Sequence, residues 1–304
     1  MTRWGIPQRH SEAGGHLSTN THFAYELTLC CSATRRPEMD RFALAKAMKE
    51  VTRRTDAYWR PADIIQHQFA GAPFGSAYAC ISPGEQGHHA SSNHNRLHLC
   101  GAEPGLTADG TAGLLKLFHD AGIGRYFVWI SPGPDMEAVR RWLAEAGLRR
   151  RPYVAYLTLA CDMRELAAAA TEFDIREVDR QEVERLSGRL DGVIWPEYLR
   201  SLGVPGVHHF MAFEGDLPVA SAVLCIFEEL GHLSMALTAE PFRHRGAQSA
   251  LIAQRINRAV AVGCKIVVSE TLSILKDSLG NLQKVGFEVV YEKEVYSLFE
   301  PRAT

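Results

Sequence analysis

What this chain lacks narrows it first. Its 304 residues contain no run of about 18 apolar positions, so no membrane-spanning helix is expected. The opening stretch MTRWGIPQRHSEAGGHLSTN has no apolar segment of the kind a secretion signal needs; residues 1–21 read as a polar arm. The 7 cysteines show no C-x-x-C spacing and are odd in number. Scattered through apolar runs, they read as reduced thiols of a cytoplasmic protein. There is no excess of basic charge either. With 33 Lys+Arg against 35 Asp+Glu the formal net charge is -2, whereas a nucleic-acid binder is usually basic. Three motifs are also missing: the G-K-[ST] of a Walker loop, the dinucleotide G-x-G-x-x-G, and the metalloprotease H-E-x-x-H.

What is present is a globular composition, 46% apolar and 22% charged, long enough for one large or two ordinary domains. Histidines gather in GHHASSNHNRLHLC (87–100), where His94 and His98 stand four apart, a spacing that can ligate a metal from one helix face. The Gly, Ser and Asn around them point instead to a solvated loop, and no metal is expected.

The chain also repeats itself. Residues 114–148 and 251–287 each read as an amphipathic helix, a glycine, an apolar strand, a short turn and a second helix ending in glycine plus an apolar residue. Gly122 and Gly263, like Gly147 and Gly286, lie roughly 140 residues apart, too long a period for a solenoid and right for two copies of one domain. The expected layout is a first copy over 22–160, a connection over 161–172 that has room for a helical turn, and a second copy over 173–304. The fold class is α/β, a mixed and mostly antiparallel sheet flanked by helices in each copy.

The second copy is the better defined. FDIREV (173–178) is a strand. DRQEVERLSGRL is a helix with Asp179 as N-cap and Glu182 placed for a capping box. Residues 208–240 form a three-stranded meander turning at EGD and EELG. A helix begins at Ala247, with Leu251, Ile252, Ile256, Ala259 and Val260 on one face. KIVVS (265–269) is a buried strand, followed by a helix and two closing strands.

Between meander and helix lies PFRHRG. A helix N-terminus carries unpaired N–H groups and partial positive charge, Gly246 permits close backbone approach, and Arg243, His244 and Arg245 add charge. Together these suit an anion the size of a pyrophosphate.

Meander, basic turn, helix, buried strand and a helix ending in VGF resemble the GNAT superfamily of acyl-CoA-dependent N-acyltransferases, over about 173–300, with 22–160 as a degenerate copy; the whole resembles the tandem GNAT proteins. The family's [QR]-x-x-G-x-[GA] turn is matched by Arg243, Gly246 and Gln248, the last a departure from Gly or Ala. The resemblance implies that Leu237, Thr238 and Ala239 meet the pantetheine and thioester of acetyl-CoA. It implies that Gly246, Ala247 and Gln248 offer amides to its pyrophosphate, and that Asn281 contacts the cofactor. The family's usual acid, a Tyr just after that Asn, is replaced by Leu282. Ser278 and Tyr291 are the remaining acid candidates. Among the possible bases Glu228, Glu229, His232 and Glu270, the last sits best, at the end of the buried strand. At the matching place the first copy has AEPGLTADGTAGLL, with Glu103 and Asp109 and no basic residue, and Trp142 in place of Asn281. A cofactor phosphate would be repelled there.

The expected activity is transfer of an acetyl group from acetyl-CoA to a primary amine of a small molecule or peptide, by direct attack and without a metal. Neither nucleic acid nor membrane is an expected partner, and nothing in the sequence sets the oligomeric state. Two other readings stand beside it: a non-catalytic acyl-CoA sensor, and an aminoacyl transferase using charged tRNA.

Overall fold

The computed structural model describes residues 40–59, 64–82, 94–101, 103–151, 155–167, 169 and 171–298. These belong to one unit of the chain, Met39–Thr304. The expected polar arm, the start of the first copy and the paired histidines His88 and His89 lie outside the described residues.

Helix α1 (Arg41–Trp59) comes first, followed by strands β1 (Ile65–Gln68), β2 (Tyr78–Ile81) and β3 (Arg96–Cys100). A β-α-β-α segment follows: β3, helix α2 (Ala108–Asp120), strand β4 (Phe127–Ser131) and helix α3 (Met136–Glu145). Strands β5 (Arg149–Arg150) and β6 (Tyr156–Asp162) lead to β7 (Asp174–Val178). Among the described residues between β6 and β7 there is no helical turn. Helices α4 (Arg180–Arg185) and α5 (Pro196–Arg200) precede the meander β8 (Val207–Glu214), β9 (Leu217–Phe227) and β10 (Leu230–Thr238). A 3₁₀ turn (Glu240–Phe242), helix α6 (Ala247–Ala261), strand β11 (Ile266–Leu272), helix α7 (Lys276–Lys284) and strand β12 (Glu288–Ser297) complete the chain. The two closing strands expected after α7 are thus one.

The local causes are legible. Asp179 caps α4, its side chain accepting from the Glu182 amide at 2.8 Å. The meander turns at Gly215 (φ 59) and at Glu228 (φ 53). Along α6 the residues Leu251, Ile252, Ile256 and Ala259 are buried against the sheet, as their spacing predicts.

All the strands join one 12-stranded sheet in the order β1-β2-β3-β4-β12-β6-β11-β10-β9-β8-β7, with β5 on β12. The sheet is mixed and mostly antiparallel, the parallel pairs being β3–β4 and β10–β11. The C-terminal strand is near the middle: β12 pairs with β4 through Glu294–Tyr296 and with β6 through Glu288–Lys293. On one face α6 covers a core of Phe210, Ala222, Leu224, Leu233 and Val267. On the other, α1 lays Leu44, Ala45, Met48 and Val51 over Ala160, Leu230, Val268 and Tyr291.

His98 departs from the loop expectation. It sits in β3, buried between the rings of Tyr78 and Trp129. The alternation of Arg96, His98 and Cys100 with leucines is the strand signal that the polar flanks obscured.

Two histidines set the acid response. Burial drives His209 and His232 down to about 4, so both are neutral in the fold. Unfolded, each would take up a proton near 6.5, so between pH 6.5 and 4 the unfolded chain binds more protons and stability falls as pH falls. Each histidine should contribute about 3 kcal/mol of loss across that window. Denaturant titrations from pH 7 to 4 should show the decline, and His209→Gln should remove about half of it.

Candidate functional site

Strands β10 and β11 run parallel and paired from Leu230↔Ile266 to Leu233↔Ser269. There the ladder stops, although β10 continues to Thr238 and β11 to Leu272. Each stays bound to its outer neighbour, β10 to β9 through Thr238 and β11 to β6 through Leu272. The two therefore part like the arms of a V. At its apex β10 is irregular: the register with β9 shifts between Ser234 and Leu237, and Met235 has φ 50. Met235 and Ala236 fall inside the shift and outside the ladder pairs.

Above the V stands the N-terminus of α6. Its cap, Gly246, has φ 88, and no side chain caps the helix. His244 also has positive φ, 63, with Arg245 between the two. Left-handed and ordinary residues in alternation turn successive N–H groups to one side, an anion-binding concavity. An alanine at 246 would meet the left-handed penalty, about 1 kcal/mol.

The basic residues of the turn divide their roles. Arg243 donates from Nε to the Thr238 carbonyl at 3.3 Å, tying the turn to the end of β10. Gln248 donates to the Thr238 hydroxyl at 2.8 Å, so the side chain that departs from the family pattern folds back onto the strand. Arg245 is bound to Glu172 at 2.7 Å and Glu214 at 2.5 Å, with its guanidinium over Phe173 and Phe242. It latches the turn to the strands beside it. His244 is exposed. Leu237, Thr238, Ala239 and residues 243–248 thus form one strand–turn–helix unit.

Across the V, Ser278 is exposed on α7 and its hydroxyl accepts from Thr271 at 3.1 Å. Asn281 is half-buried on the same helix, and Leu282 is buried in the core.

Glu270 and Tyr291 lie on the α1 face. Register places Glu270 opposite Thr158 and Tyr291 opposite Thr158 from the other side, so three strands bring them into one row. Glu270 accepts from Lys293 Nζ at 2.6 Å and from the Thr158 hydroxyl at 2.9 Å. Burial by itself would raise the Glu270 carboxyl; the adjacent Lys293 ammonium outweighs it and leaves the group lowered. Glu270 is accordingly ionised, with the hydrogen-bonding demand of its two oxygens partly met. The Tyr291 hydroxyl has no hydrogen bond of ordinary geometry. Burial first, then the Glu270 charge, holds it far above the usual tyrosine range. Reading the sequence alone missed Lys293 and Thr158, whose placement depends on strand register rather than on local pattern.

In the β3-α2-β4-α3 segment the strands do not part, although a cavity of about 350 Å³ lined by Lys46, Ser76, Cys100, Glu103 and Gly133 lies at their ends. Strands β3 and β4 stay paired along the whole of β3, from Arg96↔Phe127 to Cys100↔Ser131. The Gly101 amide then donates to the Ser131 carbonyl at 3.1 Å, and a Cβ on Gly133 would stand 2.0 Å from the Gly101 carbonyl. Helix α2 is capped by Thr107, whose hydroxyl accepts from the Gly110 amide at 3.0 Å. A Cβ on Gly110 would meet the Pro73 carbonyl at 1.8 Å, so backbone already covers this helix end. Glu103 turns away to an ion pair with Lys49 at 2.5 Å.

Solved structures share this overall fold. A GCN5-related N-acetyltransferase from Kribbella flavida superposes with TM-score 0.59 at 14% identity, over 85% of this chain and 95% of that one. This is the GNAT fold. A tandem GNAT protein from the clavulanic acid biosynthesis pathway gives TM-score 0.53 at 11% identity, over 83% and 88% of the two chains. A functionally unknown conserved protein from Staphylococcus epidermidis gives 0.51 at 12% identity, over 76% and 93%. No family model and no curated protein matches the sequence. Among the described residues no group of three or more His, Cys, Asp or Glu is placed to hold a metal, and no helix is long and apolar enough to cross a membrane.

The buried pair at the V has a definite energetic signature. Lys293 is 2% exposed and Glu270 12%. Lys293→Met alone leaves a buried carboxylate uncompensated and should cost about 3–5 kcal/mol, whereas Lys293→Met with Glu270→Leu should return most of that. Equilibrium unfolding of the three proteins reads the difference directly.

Proposed function

We propose that the chain is an acyl-CoA-dependent N-acyltransferase that passes an acetyl group from acetyl-CoA to the amine of a small molecule or peptide. The observation that supports this most is the parallel strand pair that opens after Leu233 and Ser269, directly below a helix end with no side-chain cap and a glycine at φ 88. The residues fit such a co-substrate. Amides of Gly246, Ala247 and Gln248 face an anion, and the end of β10 from Leu237 to Ala239 offers backbone groups to an extended amide-bearing arm. Acetyl-CoA supplies a thioester; the protein supplies orientation and charge.

In this reading Met235 and Ala236, outside the ladder, offer N–H groups to the oxygen that gains charge as the amine attacks. Glu270, ionised, draws the amine and takes up its proton, while Lys293 and Thr158 fix the carboxylate in place. Tyr291 keeps its proton and serves as a polar wall. The β3-α2-β4-α3 segment, whose strands stay paired and whose helix is capped by Thr107, serves as a second copy without a co-substrate site, making the protein a tandem one with a single acyl-CoA site. The free cysteines at 80, 100, 161, 225 and 264 are all buried, in keeping with work in a reducing cytoplasm.

A second reading, a sensor that binds acyl-CoA without transfer, is favoured by one observation: Glu270 is held low by Lys293, which weakens it as a base, and Leu282 occupies the family's acid position. Turnover against a panel of amines separates the two.

Calorimetric titration with acetyl-CoA and with CoA should find one site per chain. Gly246→Glu should abolish binding with the fold retained by circular dichroism. Gly246→Ala carries the same backbone strain without the charge and should keep most of the affinity. Equal affinity in the Glu variant and the parent would place the co-substrate elsewhere.

A further inference from the structure

Arg255 is among the largest fully buried side chains, 2% exposed, on the sheet-facing side of α6. Its Nε donates to the Leu251 carbonyl at 3.0 Å. Its Nη1 donates to the Val223 carbonyl at 3.1 Å and to the Ser234 carbonyl at 3.3 Å. Ser234 is the residue at which β10 loses register with β9. The guanidinium therefore fills the shift at the apex of the V and takes up carbonyls there.

No carboxylate accompanies it among the described residues. Its charged surroundings can be named strand by strand. On β9, Cys225 is a neutral thiol, pushed up to about 11 by burial. On β10, His232 is neutral, and its Nδ1 has no hydrogen-bond partner. On β11 and β12, Glu270 and Lys293 cancel one another. Arg255 is thus the uncompensated charge of the apex at neutral pH. Burial itself works against that charge and brings the group down to about 9, still ionised at neutral pH. A buried cation resting on carbonyls alone costs free energy that a counter-anion would offset.

We propose that Arg255 is a positioning residue that gives the apex of the V a standing positive charge, and that this charge stabilises the thiolate released from acetyl-CoA, in place of a proton-donating acid. The inference rests on the acyl-CoA reading of the site. The amine nitrogen bonds to the thioester carbon, the C–S bond breaks, and its electron pair leaves on sulfur as thiolate. The amine's proton goes to Glu270 and on to solvent. Leu282 cannot donate a proton, the Tyr291 hydroxyl is too weak an acid, and the Ser278 hydroxyl is exposed on α7. Field stabilisation removes the need for any of them.

The test is the ionisation of bound CoA, followed by thiolate ultraviolet absorbance against pH, with the parent, Arg255→Lys and Arg255→Gln. The parent should lower the thiol of bound CoA by about one pH unit or more from that of free CoA. Arg255→Lys should keep most of the shift and Arg255→Gln should lose it. A thiol that titrates in bound CoA as in free CoA overturns the proposal from the parent alone, as does a shift that survives in a folded Arg255→Gln. Should the Gln variant not fold, a folded Arg255→Lys that keeps the shift supports the proposal, and one that loses it, like an unshifted parent, overturns it. If the parent binds neither CoA nor acetyl-CoA, the acyl-CoA reading falls and this inference with it; binding without a shift removes this inference alone.

Discussion

The rest of the structure depends on where the last strand goes. β12 lies between β4 and β6, hydrogen-bonded on both sides, and so makes one sheet of segments from opposite ends of the chain. Its partner β6 in turn holds β11 through Leu272. β11 can thus leave β10 and remain part of the sheet, held on its other edge, while the backbone groups that face into the V are left to solvent or a ligand. The V at Leu233 and Ser269 is thus maintained from outside, by β9 on one arm and β6 on the other. The row Thr158, Glu270, Tyr291 and Lys293 is drawn from three strands that meet only because of this order.

The two β-α-β-α segments show how little separates an open from a closed form of one architecture. In one, a glycine pair lets the backbones of Gly101 and Gly133 touch, Thr107 caps its helix, and Pro73 lies over the helix end. In the other, Gly246 leaves the helix end bare, and Arg255 occupies the break in register. The two segments differ in whether their parallel strands part and in how the helix end is covered.

Much of this was legible in the sequence because its causes are local. The apolar face of α6, the cap at Asp179, the turns of the meander and the glycine before α6 each follow from residues within one or two turns of one another. The misreadings have the opposite character. The polar flanks of His98 read as a loop, yet long-range pairing with β2 and β4 places it in a core strand. Lys293 and Glu294, the charges within EVVYEKEVYS, pair with Glu270 and Arg140, partners far away in sequence. The ion pairs of Arg245 with Glu172 and Glu214 likewise join residues distant in sequence. Arg255 did leave a trace: it falls at an apolar position of the α6 pattern, among Leu251, Ile252, Ile256 and Ala259.

The central place of β12 has a consequence for synthesis on the ribosome. Residues 288–297 emerge after every other strand of the sheet, so until then β4 and β6 each present an open edge, the kind of surface that pairs with the wrong strand. The site can therefore not be completed while the chain is still growing past α7. A product that stops before β12 would carry every group of the turn before α6 and lack Lys293, and with it the partner that keeps Glu270 charged.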